Sequence, residues 1–416
     1  MKHLRFAFFA LVAAAGPALA QEEERRAPPI EIPDFSNLDE YIYEPKSTVR
    51  FGFRHISGAK TSFSGQGRIP SPQDSGPETG ANLTRLYHDG AVRPDGRTVA
   101  RLDSSGNPII DPASSQQVFD PIAPDGRTNT WNYTDASQLS RLGFVAFHNY
   151  SASVVDTDVR QRESNSSAGM DITVSRDMGN LFGSRIAWNL TAGVSINDIS
   201  TDTSALVRAD LTTITDFYSL FGQVPPDAPY SSPSTNTSNV VDAAGNPVLN
   251  DDGTARTVTT DTSVLISNEP VGRTNSTVTN DTSVRNRWKI KGAYYTFRAG
   301  PTVWIPITTR LKASISVGAA LVYAGTNYTV TQSFSPDLGP EITDTSDSDA
   351  YKLLPGYYAD ATIQFDLTER AGLYAGAVFQ SAGSYSQQVQ SENANYATKI
   401  DLKNQNGVRA GLSVRF

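Results

Sequence analysis

Residues 310–333 read RLKASISVGAALVYAGTNYTVTQS. Leu311, Ala313, Ile315, Val317, Ala319, Leu321 and Tyr323 alternate with Lys312, Ser314, Ser316 and Gly318. A period of two held over ten or more residues is a β-strand with one apolar face. Working outward, the same pattern recurs. Tyr295, Phe297, Ala299, Val303 and Ile305 oppose Thr296, Arg298, Gly300 and Thr302 within 286–306. Tyr357, Ala359, Ala361, Ile363 and Phe365 oppose Asp360, Thr362 and Gln364 within 351–366, and Leu373, Ala375, Ala377 and Phe379 mark 371–390. Earlier strands are read at 47–58, 141–155, 165–177 and 184–199.

These stretches are longer than the ~5–6 residues of an average soluble strand and match the ~9–11 that a tilted strand needs to cross a hydrocarbon layer. Connections alternate between tight (Ile307 to Thr309, Leu367 to Arg370) and long and polar (334–350, 391–404). Short turns at one end and long loops at the other are the pattern of a transmembrane barrel. The last residues give Val408, Ala410, Leu412, Val414 and Phe416 against Arg409, Gly411, Ser413 and Arg415. An apolar alternation ending in an aromatic resembles the insertion signal of bacterial outer-membrane β-barrel proteins. That resemblance implies the outer membrane as location and the barrel-assembly machinery as a partner during insertion.

The amino-terminal stretch fits export. Lys2 and Arg5 precede the apolar run Phe6 to Ala15, and Ala18-Leu19-Ala20 is a small-x-small cleavage pattern, so residues 1–20 are expected to be a signal peptide. Residues 21–46, charged and broken by proline, are expected to be a periplasmic arm, and 47–416 the barrel. The formal net charge is −8 and there is no cysteine. The acidity argues against nucleic acid as a partner. The missing thiols exclude a disulfide framework and thiolate chemistry.

The expected fold is therefore all-β, an antiparallel transmembrane barrel of about ten strands, with eight and twelve as neighbours. Nine stretches are clear, and 127–135 supplies the tenth. Two extracellular insertions are expected, at 59–126 and 200–285. They carry Gly- and Asp-rich turn signals in Asp103-Ser-Ser-Gly-Asn-Pro108 and Asp242-Ala-Ala-Gly-Asn-Pro247, read as β-ribbons; neither has the regular ladder of a calcium loop. Within 203–222, Val207, Leu211, Ile214, Tyr218 and Phe221 are spaced 4-3-4-3, which predicts an amphipathic helix of about five turns.

Continuing each alternation turns Arg50, Arg54, Arg185, Arg298, Lys312, Arg409 and Arg415 inward, with Asp171, Asp360 and Asp366 as the acids. Such charges must pair or line water, so the interior is either plugged or a narrow, positively biased pore. Arg285, Arg287 and Lys289 are placed to meet lipopolysaccharide phosphates. No metal cluster, phosphate loop or cofactor motif is found. Two enzymatic patterns stay on the page. His55 and Ser57 share a lipid-side face, an arrangement similar to that of outer-membrane phospholipases and lipid A deacylases; Asp156 and Asp158 near His148 resemble the rim acids of omptin-type proteases. The leading expectation is non-enzymatic: a structural or surface-exposed membrane protein, or a narrow pore. A lipid-modifying hydrolase using His55 and Ser57 and an adhesin-like surface on the loops are the alternatives. Deleting Phe416 is expected to impair membrane assembly while leaving export intact; normal heat-modifiable folding of the truncated protein in cells would refute the insertion signal.

Overall fold

A computed structural model describes residues 46–416, apart from 115, 165, 182–185 and 251–252. The expected signal peptide, with Ala18 and Ala20, and nearly all of the expected arm lie outside the described residues. No helix is long and apolar enough to cross a membrane. A 3-10 turn forms at Ala136–Gln138.

Thirteen strands form one large sheet. In chain order they are β1 (Ser47–Ser57), β2 (Lys60–Ile69), β3 (Phe144–Val154), β4 (Arg160–Glu163) and β5 (Ser167–Asn180). Then come β6 (Ala187–Ser219), β7 (Gly272–Pro306), β8 (Leu311–Phe334) and β9 (Ile342–Asp366). The last are β10 (Ala371–Ala382), β11 (Ser384–Gln390), β12 (Ala394–Asp401) and β13 (Gln405–Arg415). Eight of them are antiparallel neighbours in the order β1-β5-β6-β7-β8-β9-β10-β13, and β13 pairs with β1 again. The first and last described strands meet in this seam, where Ser47 N–H donates to Phe416 O at 3.1 Å and Phe416 N–H to Ser47 O at 2.9 Å.

The expected count of ten is thus corrected to eight strands in the ring. The two surplus stretches lie elsewhere. β3 pairs with the far end of β6, Ala209–Ser219, and Val145 and Phe147 are buried in a core with Tyr87, Trp131, Tyr133 and Tyr218 rather than facing lipid. Trp131–Tyr133 belongs to a separate four-stranded sheet. The helix expected over 203–222 is also corrected: this is the distal part of β6, hydrogen-bonded to β7 on one side and β3 on the other. Thr212, Thr213, Ile214 and Thr215 are stiff at Cβ and favour a strand, and tertiary pairing overrides the apolar spacing. Consequently the insertion 200–285 shrinks to 220–271, and Lys60–Ile69 removes a strand from the supposed loop 59–126. Within both insertions the repeated turns form as read: Asp103 Oδ1 accepts from the Ser105 and Asn107 amides, Asp242 Oδ1 from those of Ala244 and Asn246, and Gly106 and Gly245 take φ of 82° and 84°.

Four of the ring strands, β6 to β9, have 33, 35, 24 and 25 residues, far more than a membrane crossing needs, and their faces change partners on the way. In the first half of β8, Ile315 and Val317 are exposed outward while Ser314 and Ser316 are buried inward. Tyr295, Tyr323 and Tyr351 form an outward aromatic row, with ring centroids 6.4 Å apart in both neighbouring pairs. Twelve residue steps separate Leu311 from Tyr323, which at about 3.3 Å per step and a tilt of about 40° gives an apolar band of about 30 Å, the scale of a hydrocarbon layer. Beyond the tyrosines the outward residues are Lys289 and Lys291, Asn327 and Thr329, Asp347 and Asp349. Inward, Trp288, Ile290, Val322, Ala324, Tyr328 and Val330 form one apolar core with Phe63 of β2 and Tyr396 of β12. Phe63 stacks on Trp288 and Tyr328 at 6.0 Å each. The strands β3, β2, β12 and β11 continue the wall above the band, β11 and β12 keeping the register of β10 and β13, and their inward side chains meet the core across the bore.

Candidate functional site

Inside the apolar band the lumen is occupied by charges that four strands bring to one level. Asp171 on β5 is fully buried, and both its oxygens accept Arg298 Nη2 of β7, at 2.6 and 2.7 Å. Arg409 of β13 reaches the same carboxylate at 3.4 Å through Nη1, while its Nη2 donates to Asp360 Oδ1 at 2.5 Å and to Thr362 Oγ1 at 2.9 Å on β9. Arg298 and Arg409 also lie against the Tyr358 and Tyr374 rings, 5.6 and 5.8 Å from the centroids. Next along β1, Arg54 donates to Ser195 Oγ at 2.6 Å and to Gln380 Oε1 at 2.5 Å, and Gln380 continues to Thr296 at 3.1 Å. At the end with the short turns, Asp366 holds Lys312 at 2.9 Å and Arg415 at 3.2 Å.

The expected seven inward cations resolve as follows. Arg298, Arg409, Lys312 and Arg415 share three acids, because Asp171 and Asp366 each serve two partners. Arg50 and Arg54 make no ion pair among the described residues; Arg50 instead lies 4.7 Å over the Trp304 ring and 5.9 Å from that of Tyr374. Arg185 lies outside the described residues. Desolvating a charge costs several kcal/mol unless it is paired and hydrogen-bonded, and the network supplies that pairing to Arg298, Arg409, Asp171 and Asp360, whose side chains are almost fully buried.

Outside the band a second cluster appears that sequence reasoning did not assemble. Asp89, fully buried, accepts the His148 amide at 2.8 Å and contacts its Nδ1 at 2.5 Å. The neighbouring His88 accepts the Tyr150 amide on Nδ1 at 3.2 Å, and burial holds its imidazole below the ordinary histidine range. Asp216 takes both Arg273 Nε and Nη2, at 2.6 and 2.7 Å, and accepts from Tyr87 at 2.6 Å. No spacing pattern joins Asp89 to His148, because the pair depends on where a loop crosses β3.

The enzymatic patterns are not assembled. Asp156 pairs with Arg160 and not with His148. Among the described residues no hydroxyl is hydrogen-bonded to His148, and Ser57 donates to Asn406 O at 3.5 Å rather than to His55. Of the outward cations, Arg287 is engaged by Asp202. No group of acids and histidines that could hold a metal is found among the described residues.

No family model and no curated protein matches the chain. Among solved structures it is similar to the outer membrane protease OmpT of Escherichia coli at 11% identity and a TM-score of 0.26, covering 89% of this chain and 97% of that one. A FadL homologue of Pseudomonas aeruginosa gives 9% identity, a TM-score of 0.15 and coverage of 89% and 90%. A TodX mutant described as a monoaromatic hydrocarbon channel gives 7%, 0.16, and 90% and 91%. At these scores the likenesses carry no functional argument, and the fold rests on the pairings above.

The network has a measurable consequence. Asp171→Asn leaves two buried guanidinium groups short of their shared carboxylate, and such a loss costs about 3–5 kcal/mol. Urea unfolding followed by tryptophan fluorescence in liposomes should register that loss. A change within about 0.5 kcal/mol would mean that these charges are hydrated.

Proposed function

We propose that this protein is an integral outer-membrane barrel that is closed to solutes, is not an enzyme, and carries a folded β platform on the outer side. The observation that carries the reading is the filled interior. The Arg298–Asp171–Arg409–Asp360 network blocks the lumen within the band, and the core around Phe63, Trp288, Tyr328 and Tyr396 fills it above. An eight-stranded barrel is just wide enough for its side chains to fill. The outward apolar band and its tyrosine row support a place in lipid, with lipopolysaccharide around the Lys289 and Lys291 level. Insertion would use the Val408 to Phe416 alternation and the barrel-assembly machinery.

One observation favours a binding role for the platform. Leu142 and Val224 are 82% and 83% exposed, and the Leu220 amide bonds to Gly143 O, which brings their two loops side by side with Phe221. Exposed apolar side chains grouped at a tip suit contact with another surface. The lipid hydrolase alternative has no comparable support.

Planar-bilayer recording of the purified, folded protein tests the closed reading. The expected trace has no stable unit currents at either polarity. Reproducible stepwise conductance from the unmodified chain would overturn it in favour of a pore.

A further inference from the structure

Below the charge network, at the mouth bearing the short turns, lies a cavity of about 250 Å³. It is lined by Lys46, Arg50, Trp304, Lys312, Gln364 and Arg415, with Asp177 at its edge. Four of these residues are cationic, against Asp177 and the nearby Asp366 that already holds Lys312 and Arg415. Arg50 is only 3% exposed, yet it makes no hydrogen bond and no ion pair among the described residues; its guanidinium carbon lies 4.7 Å from the centroid of the Trp304 ring. Arg50 Nε and Trp304 Nε1 are both buried donors without a partner.

A buried guanidinium without an acceptor is costly, and each of the other described lumen arginines, Arg54, Arg298, Arg409 and Arg415, has at least one. The ring offers the guanidinium no acceptor oxygen, so the fork of donors that suits a two-oxygen acceptor stays available. We propose that this mouth is a binding site for a small oxyanion, a carboxylate or a phosphate, gripped by Arg50 and Trp304 and screened by Lys46, Lys312 and Arg415. The site stands on the geometry of the mouth and does not depend on whether the barrel conducts.

Isothermal titration of the full chain in detergent, with phosphate and with succinate against matched chloride, tests the site. Saturable binding is expected, weakened at least about tenfold in Arg50→Gln. It should also weaken in Arg50→Lys, which keeps the charge but not the fork; this variant guards against a folding defect, and heat-modifiability reports the fold of both. Absence of saturable binding of either anion by the unmodified chain, or equal binding with and without Arg50, would overturn the proposal.

Discussion

The structure depends on one geometrical constraint: a strand has two faces, and the solvent outside it changes partway along. Side chains alternate strictly, so a strand that leaves hydrocarbon for water must exchange its apolar face or break register. β8 makes the exchange without a break, pairing with β9 continuously from Leu311–Phe365 to Phe334–Ile342. Ile315 and Val317 are apolar outward, with Ser314 and Ser316 inside; further on Val322, Tyr328 and Val330 are apolar inward, with Asn327 and Thr329 outside. The polarity switch is written in the side chains, and the backbone continues as one ladder.

Two different interiors follow. In the half with the outward apolar band the inward residues are polar and satisfy one another, as Asp171, Arg298, Asp360 and Arg409 do. In the upper half the inward residues are apolar and need a partner across the bore. The strands β2 and β12 supply it, with Phe63 between Trp288 and Tyr328 and the Tyr396 hydroxyl accepting from Asn286 at 3.2 Å. Arg50, below both, is the buried cation that neither interior satisfies.

The lower half was legible in the sequence because an outward apolar face opposite a polar inner one gives a clean alternation over long runs. All eight ring strands begin or end in stretches that alternation alone identifies, from Val49 and Phe51 to Val414 and Phe416. Register then placed Arg50, Arg54, Arg298 and Arg409 inside. The upper half was not legible. Lys60–Ile69 buries Phe63 and Ile69 but carries glycines and polar residues between them, so no period stands out. The distal part of β6 buries Val207 and Tyr218 while Leu211 and Ile214 are half-buried, and the coincidence of their spacing with a helical stripe misleads. Asp89–His148 and Arg50–Trp304 are contacts between distant strands and loops, and nothing local announces them.

The central claim is that the outward face changes from lipid to water at the level of Tyr295, Tyr323 and Tyr351. The chain has no cysteine, so single cysteines report cleanly. The most direct measurement is labelling of Val317→Cys, Thr329→Cys and Val330→Cys with a membrane-impermeant thiol reagent on intact cells. The account predicts rapid labelling at 329 only, with 317 shielded by lipid and 330 by the upper core. Labelling at 330 as fast as at 329, or at 317 from the aqueous side, would contradict it.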